Sequence, residues 1–269
     1  MSFAASLAPP QSLSLRAEPI LSRITLIMAL SLCITLPAYA LDTRLFQGEN
    51  VWLKPIKFQL ALALYFGTLA LYATWLPESL TTSPKIRRLL IAAGLASFAE
   101  MIWIGGAAMF GTASHYNTMP LLYGVYALMG VLAVLLITVS LVFGLAFWRA
   151  KRSPLSEPLR LSMALGLVLT FVLTLIAAGT LSALSGHHIG TPITGSSLPL
   201  MGWSREVGDL RVAHFLATHA LHAIPLIGLL AVAFLPQRLA NQAVWAGASA
   251  FTALTIFTYI QALSGSPFL

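Results

Sequence analysis

Three histidines and an arginine recur along one apolar stretch of the chain, residues 209–226. His214, His219 and His222 follow Arg211 at helical spacing. Because an α-helix advances about 100° per residue, these four side chains project within an arc of roughly 140°. Ionisable groups inside a bilayer are costly unless they face the protein interior or water. The stretch therefore predicts a polar functional site on one face of an apolar helix.

Imidazole nitrogen is the commonest biological metal ligand and the usual axial ligand of haem. The first-choice ligands are His214 and His219, together with His115, which follows the third apolar run. The second choices are His222 and Glu100, the only carboxylate deep inside an apolar run. Imidazole and carboxylate together suit iron, copper, manganese or zinc. This residue set predicts a site that binds haem or a transition-metal ion for redox chemistry.

Two cations near this site, Lys57 and Arg211, are predicted to bind haem propionates or an anionic substrate. Lys57 lies one turn into the second apolar run, and Arg211 opens the sixth. A simpler interpretation exists for Arg211, because Arg205, Glu206 and Asp209 alternate in charge sign just before it, and local salt bridges explain that pattern. Asp209 is also a natural helix N-cap.

Composition places the chain in a membrane. Hydrophobic residues make up 58% and charged residues only 9%, whereas soluble proteins carry about 25% charged residues. The mean hydropathy is +0.86. The net charge of +7 does not indicate nucleic-acid binding, since the cations lie between apolar runs, where they set topology. The lipid bilayer is the expected partner. The single cysteine, Cys33, excludes an intrachain disulfide.

Seven apolar runs are long enough to cross a bilayer, which takes about 20 residues. They cover about residues 24–41, 56–76, 89–110, 120–148, 160–184, 212–235 and 242–263. The expected fold is an all-α membrane bundle of seven helices in one domain, residues 20–269. Residues 1–19, rich in Ser, Pro and Ala, are expected to form a loose tail.

The first run has two interpretations. Arg16 and Arg23 precede a short apolar core, and residues 38–40 read Ala-Tyr-Ala after Pro37. This is typical of a signal peptide, and cleavage of residues 1–40 would leave six helices. A retained first helix is favoured, because many first helices carry such a tripeptide by chance.

The distribution of Lys and Arg predicts the orientation. One side holds ten cations: Arg16, Arg23, Lys85, Arg87, Arg88, Arg149, Lys151, Arg152, Arg160 and Arg238. The other side holds five: Arg44, Lys54, Lys57, Arg205 and Arg211. The richer side is expected to be cytoplasmic. This predicts a multi-pass membrane protein with its N-terminus inside, its C-terminus outside and its histidines toward the outer face.

The longest connection, residues 185–210, contains five glycines and two prolines. Loops of this length are usually functional or disordered. Its apolar patches and Trp203 predict a lid that folds over the outer mouth of a pocket walled by the second, third and sixth spans. His187 or His188 would then reach the site.

Two other function classes stay open. A transporter or channel would use Glu100 and the histidines to relay protons or bind a cation. An inverted repeat would favour it, and the sequence contains no convincing repeat. A structural or sensory subunit would have no chemistry. Enzymatic activity is left undecided. No soluble redox domain is present, so electrons would come from quinone, a partner protein or the substrate.

Three motifs carry a resemblance. Residues 52–58 read W-L-K-P-x-K-F, residues 114–117 read S-H-x-N, and residues 209–220 read D-L-R-x-x-H-F-x-x-x-H-A. Together they resemble a family of uncharacterised bacterial multi-pass integral membrane proteins over most of residues 45–230. The resemblance implies a shared role for Lys54, Lys57, His115, Asn117, Asp209, Arg211, His214 and His219. His222 departs from the pattern, which has glutamine there. The resemblance implies the place of a site and no particular reaction.

Overall fold

The computed structural model of the chain describes residues 18–150 and 153–269. The chain divides between Val139 and Ser140 into two compact units, and each is described by itself. The loose tail predicted at residues 1–19 lies almost wholly outside the described residues. The single domain predicted for residues 20–269 stays a prediction.

The first unit is helical except for one small hairpin. Its elements are α1 (Pro19–Leu41), β1 (Leu45–Phe46), β2 (Glu49–Asn50), α2 (Leu53–Ala73), the short α3 (Glu78–Thr81), α4 (Pro84–Phe110) and the larger part of α5 (Pro120–Arg149). Strands β1 and β2 pair antiparallel, with Leu45 opposite Asn50. The hairpin therefore connects α1 to α2 as a two-stranded sheet.

The second unit begins within α5. It continues with α6 (Glu157–Ala183), β3 (His188–Ile189), β4 (Gly208–Asp209), α7 (Leu210–Phe234) and α8 (Gln237–Leu263). Strands β3 and β4 pair antiparallel and bring the two ends of the long connection together. The connection thus starts and finishes at the same end of this unit.

Seven of the described helices are long and apolar enough to cross a membrane: α1, α2, α4, α5, α6, α7 and α8. This confirms the predicted all-α membrane fold with seven helices and multiple passes. The observed ends lie within about five residues of the predicted ones. The largest differences are at the starts of α1, α4 and α8, each of which begins earlier than predicted. At α8, which begins after Pro236 rather than at residue 242, the first turns are polar and carry no hydropathy signal.

Small residues allow close helix contacts in the first unit. A Cβ at Gly94 of α4 would lie 2.7 Å from Cδ1 of Ile24 on α1, so the absence of a side chain creates the space that Ile24 fills. Thr35 of α1 also donates a hydrogen bond to the side-chain oxygen of Gln59 on α2, at 2.6 Å. The first helix is therefore packed against both α2 and α4.

Close packing in the second unit centres on α7. A Cβ at Gly166 of α6 would lie 2.9 Å from the carbonyl oxygen of Ala220, and one at Gly228 would lie 2.0 Å from the Ser162 hydroxyl. On the same side of α7, Ala220 and Ile224 form a wholly buried cluster with Ala248 of α8. This face of α7 thus packs against α6 and α8.

Candidate functional site

The histidines of α7 lie on a different face from its packing contacts. The centre of the arc of His214, His219 and His222 is roughly 140° around the helix from the centre of the wholly buried positions. All three histidines are partly buried. The predicted polar face therefore exists on α7, directed away from the contacts with α6 and α8.

His219 is held in a defined orientation by its own helix. Its Nδ1 atom lies 2.8 Å from the carbonyl oxygen of Phe215, one turn earlier. A carbonyl only accepts hydrogen bonds, so Nδ1 carries the proton and donates it. The Phe215 ring stacks on the imidazole, with 3.9 Å between centroids and 27° between planes. In the neutral ring, Nε2 is then the nitrogen that has a lone pair for a ligand.

The other two histidines of α7 continue this face. The rings of His219 and His222 lie 5.4 Å apart between centroids. The Nδ1 atom of His214 is buried and has no hydrogen-bond partner in the described part of the chain. Buried polar atoms in proteins usually have a partner, which can be an ion or a water molecule. The ligand roles predicted for these histidines stay predictions.

The connection between α6 and α7 is ordered by its own hydrogen bonds. Ser197 pairs with Ser204, and the Leu198 amide donates to the Trp203 carbonyl at 2.8 Å. This hairpin places the Trp203 ring edge-on to Phe215, 5.4 Å between centroids, and edge-on to Phe268 at 5.8 Å. An aromatic series therefore runs from the connection to His219. The role of the connection as a lid stays a prediction.

Glu206 organises the turn at the far end of this connection. Its carboxylate accepts hydrogen bonds from the amides of Ile193 and Ser196, both at 2.6 Å, and from the amide and hydroxyl of Thr194. The hydroxyl and amide donors lower the pKa of Glu206 from 4.5 to about 2. The turn is therefore stabilised by the ionised carboxylate.

Asp209 is the predicted N-cap of α7, and its side chain accepts a hydrogen bond from the Arg211 amide. Arg211 also binds this carboxylate with its side chain, from Nε to Oδ1 at 2.9 Å and from Nη2 to Oδ2 at 2.6 Å. Burial by itself raises the pKa of Asp209. Contact with His188 and the bonds from Arg211 lower it by more than burial raises it, so the pKa lies below its usual range. Arg211 thus makes the local salt bridge, and its binding of an anion stays a prediction.

In the first unit, two of the sequence motifs meet. Lys54 Nζ at the start of α2 lies 3.2 Å from Nδ1 of His115 in the loop after α4, and the Ser114 hydroxyl is equally close to that nitrogen. Trp103 of α4 fixes the loop by donating from Nε1 to the Ser114 carbonyl at 2.8 Å. The Phe58 ring is 6.0 Å from the imidazole. W-L-K-P-x-K-F and S-H-x-N therefore build one cluster.

The ammonium of Lys54 decides the tautomer of His115. An ammonium has only donors, so Nδ1 of His115 accepts and the proton of the neutral ring is on Nε2. Coordination of a metal through Nε2 would move that proton to Nδ1, facing the ammonium. The contact therefore does not prepare His115 for ligation as the Phe215 carbonyl prepares His219. The ligand role of His115 stays a prediction.

Other residues of these motifs have local partners. Lys57 Nζ lies 3.8 Å from the Glu49 carboxylate, and both side chains are more than a third exposed. Trp52 donates from its indole to Asp42 at 2.8 Å. Asn117 is 7% exposed and donates to the Ala113 carbonyl. These contacts give the motif residues a structural role in the loops, and anion binding by Lys57 stays a prediction.

Glu100 lies in the middle of α4 and is 9% exposed. No described residue forms an ion pair or hydrogen bond with its carboxyl group. Glu100 is therefore a buried acidic group, and its role as a metal ligand stays a prediction. The pocket predicted between the second, third and sixth spans stays a prediction.

The sequence did not indicate that one group of possible metal ligands would lie together. His187, His188 and Asp209 lie together at the β3–β4 pair, where His188 is directly opposite Asp209. From the sequence, either histidine was expected to reach the site on the sixth span, and Asp209 was expected to cap a helix and form local salt bridges. The missing signal was the strand pairing, which is too short to leave an alternating pattern in the sequence.

Two of the three motifs meet at Lys54 and His115, and the third begins the helix that carries His214 and His219. Each motif therefore has a place within one of the two units.

Comparison of the chain with models of known protein families, with curated proteins and with solved structures finds no match. The resemblance to the bacterial membrane family therefore rests on these motifs and stays a prediction.

Proposed function

We propose that this chain is an integral membrane metalloprotein in which Nε2 of His219 coordinates haem iron or another transition-metal ion for redox chemistry. The observation that carries the proposal is the 2.8 Å contact between Nδ1 of His219 and the Phe215 carbonyl. Metal-binding histidines almost always donate their second ring N–H to a carboxylate, a backbone carbonyl or water. Such a bond sets the tautomer and increases the basicity of the coordinating nitrogen.

The surroundings of His219 suit a metal or haem. Phe215 stacks against one side of the ring and limits its rotation. His222 offers a second imidazole 5.4 Å away between centroids, and His214 lies on the same arc. A membrane helix supplies a low-dielectric environment, which tunes the reduction potential of a bound metal. Electrons would reach it from quinone or from a partner protein, and the bacterial inner membrane is the proposed location.

The test uses the full chain, expressed with added iron and haem precursor and purified in detergent. Its visible spectrum and its metal content are measured together. The same measurements are made on His219→Ala and, as a matched control, on Thr218→Val. This control removes a hydroxyl that donates to the Phe215 carbonyl and lies 3.3 Å from Nδ1 of His219, and it leaves the bond from Nδ1 to that carbonyl. We expect bound metal in the parent and in Thr218→Val, and its loss in His219→Ala.

The spectrum distinguishes the two forms of the proposal. A Soret band establishes haem, whereas stoichiometric iron or copper that is present without this band and is lost in His219→Ala establishes a metal-ion centre. A colourless protein free of metal after supplementation overturns the proposal. Equal metal content in the parent and in His219→Ala overturns the role of His219.

A second candidate function rests on Glu100. A buried carboxyl group that no described residue binds is the arrangement expected of a proton carrier within a membrane. Under this proposal the chain is a proton-coupled or cation transporter. Flux into proteoliposomes should then depend on pH and disappear in Glu100→Gln. Glu78→Gln, at an exposed position in α3, is the control, and unchanged flux in Glu100→Gln would contradict the transporter.

A further inference from the structure

A second group of side chains that could bind a metal lies at the β3–β4 pair of the second unit. His187, His188 and Asp209 each offer one possible metal-ligand atom, and these three atoms lie within 4.8 Å of one another. Two imidazoles and one carboxylate form a ligand set that suits zinc and neighbouring divalent metals. The centroids of the two imidazole rings are 4.1 Å apart. Three possible ligands from consecutive and facing positions therefore lie close enough together to reach one ion.

The backbone builds this convergence. His188 of β3 is paired with Asp209 of β4, and the Leu210 amide donates to the His187 carbonyl at 3.0 Å. The backbone of Gly208 in β4 packs directly against the backbone of Ala262 in α8. A Cβ at Gly208 would lie 1.9 Å from the Ala262 carbonyl oxygen. The positions of the three ligands are therefore set by main-chain contacts rather than by flexible side chains.

The separation of one ligand pair and the hydrogen-bonding state of His188 both suit a metal. Two ligands on one tetrahedral zinc are about 3.3 Å apart. Nε2 of His188 lies 3.6 Å from Oδ2 of Asp209, close to that separation and too long for a hydrogen bond. This Nε2 atom is buried and has no hydrogen-bond partner among the described residues. Asp209 itself is 1% exposed. A divalent ion between them would bind the lone pair of His188 Nε2 and would be attracted by the negative charge of the Asp209 carboxylate.

Arg211 competes for the same carboxylate. Its Nη2 donates to Oδ2 of Asp209 at 2.6 Å, while its Nε and its amide bind Oδ1 at 2.9 and 3.1 Å. Oδ2 also accepts from the Ser204 amide at 3.0 Å and from Nε of Arg211 at 3.2 Å. A metal on Oδ2 would compete with these donors and displace Nη2, which also donates to the Gly202 carbonyl, while the contacts at Oδ1 stay in place. Metal binding and the Asp209–Arg211 ion pair are therefore coupled, and weakening one should strengthen the other.

We propose that His187, His188 and Asp209 form a divalent transition-metal site that clamps the two ends of the connection between α6 and α7. The site is separate from the one proposed at His219 and does not depend on it. Occupation would replace the contact between His188 and Asp209 by two coordinate bonds. The metal would thus stabilise the connection that carries Trp203 over the start of α7.

The test is zinc binding to the detergent-purified full chain, stripped of metal and titrated with zinc alone. We expect one zinc per chain at this site in the parent. His188→Ala should weaken binding by about tenfold or more, because a ligand is lost. Arg211→Gln should strengthen it, because the competing guanidinium is removed. Arg205→Gln, at an exposed position in the same connection, is the matched control and should bind like the parent.

The strengthening in Arg211→Gln is a gain that a misfolded variant would not give. Zinc should also protect residues 185–209 from proteolysis in the parent and not in His188→Ala. Equal zinc affinity in the parent, His188→Ala and Arg211→Gln would overturn the proposal. His219→Ala should keep this zinc binding while it loses the metal or haem proposed for α7, so the failure of either site is recognised independently of the other.

Discussion

The ammonium of Lys54 lies 3.2 Å from Nδ1 of His115, across 61 residues of sequence. This contact joins the start of α2 to the loop that follows α4. It also assigns the proton of the neutral His115 ring to Nε2, the opposite of the assignment for His219. Lys54 therefore holds the loop that follows α4 and also determines which ring nitrogen of His115 carries the proton.

Replacing Lys54 by methionine should release His115 from this tautomer. In the parent, histidine ¹⁵N NMR should give an unprotonated Nδ1 and a protonated Nε2 for His115, assigned by His115→Ala. Lys54→Met should mix the two tautomers and lower the stability of the protein by about 1–3 kcal/mol, since a hydrogen bond to a charged group is lost. Lys85→Met, at an exposed position in α4, is the control. A protonated Nδ1 in the parent would contradict the assignment.

Gly208→Ala should destabilise the second unit strongly. A Cβ there would lie 1.9 Å from the Ala262 carbonyl oxygen, and backbone cannot move aside as a side chain does. We expect a loss of about 1–3 kcal/mol or more, measured as a lower thermal midpoint in detergent. Gly186→Ala is the control, because a Cβ at Gly186 meets nothing within 4 Å. Equal midpoints for the two variants would refute the close contact between β4 and α8.

Gly94→Ala tests whether α1 packs against α4. The new methyl would lie 2.7 Å from Cδ1 of Ile24, so the variant should be less stable. Ile24→Ala removes the obstructing atoms, and the double variant should be more stable than the sum of the two single effects predicts. Gly105→Ala, where nothing lies within 4 Å, is the control. Strict additivity would mean that these two residues do not touch.

Glu206 should make the order of its turn sensitive to acid. Its folded-state pKa is about 2, against an ordinary value of 4.5. Because the pKa is lowered, the stabilisation is complete above pH 4.5 and is lost as the pH falls toward 2. Amide exchange of residues 193–196 should therefore lose protection over this window. Glu206→Gln should show weaker protection throughout and little change with pH, whereas Glu78→Gln should follow the parent.

Single cysteines can test the orientation predicted from Lys and Arg. In a Cys33→Ser background, Ser264→Cys after α8 and Ser153→Cys between α5 and α6 should lie on opposite sides of the membrane. A reagent that does not cross membranes should label intact spheroplasts at position 264 and not at position 153. Labelling at position 153 alone would show that the N-terminus is outside.

The sequence by itself determined the seven spans and the placement of polar groups along each helix. Apolar runs of spanning length have only one common solution in lipid, because a helix satisfies every backbone hydrogen bond within the segment. Helical periodicity likewise placed His214, His219 and His222 on one face. The capping role of Asp209 was also evident, since a cap depends on the next few residues alone. All of these are local consequences of the chain.

Tertiary structure decided which distant groups meet. Lys54 reaches His115, and His188 faces Asp209, through contacts that no periodicity records. The tautomer of His115 follows from such a distant partner, the Lys54 ammonium, whereas that of His219 follows from a carbonyl on its own helix. Glycine alone did not predict close packing either, because Gly94 and Gly208 have near neighbours while Gly105 and Gly186 have none. Ligand sets are assembled by partners far apart in sequence, and only the folded chain brings those partners together.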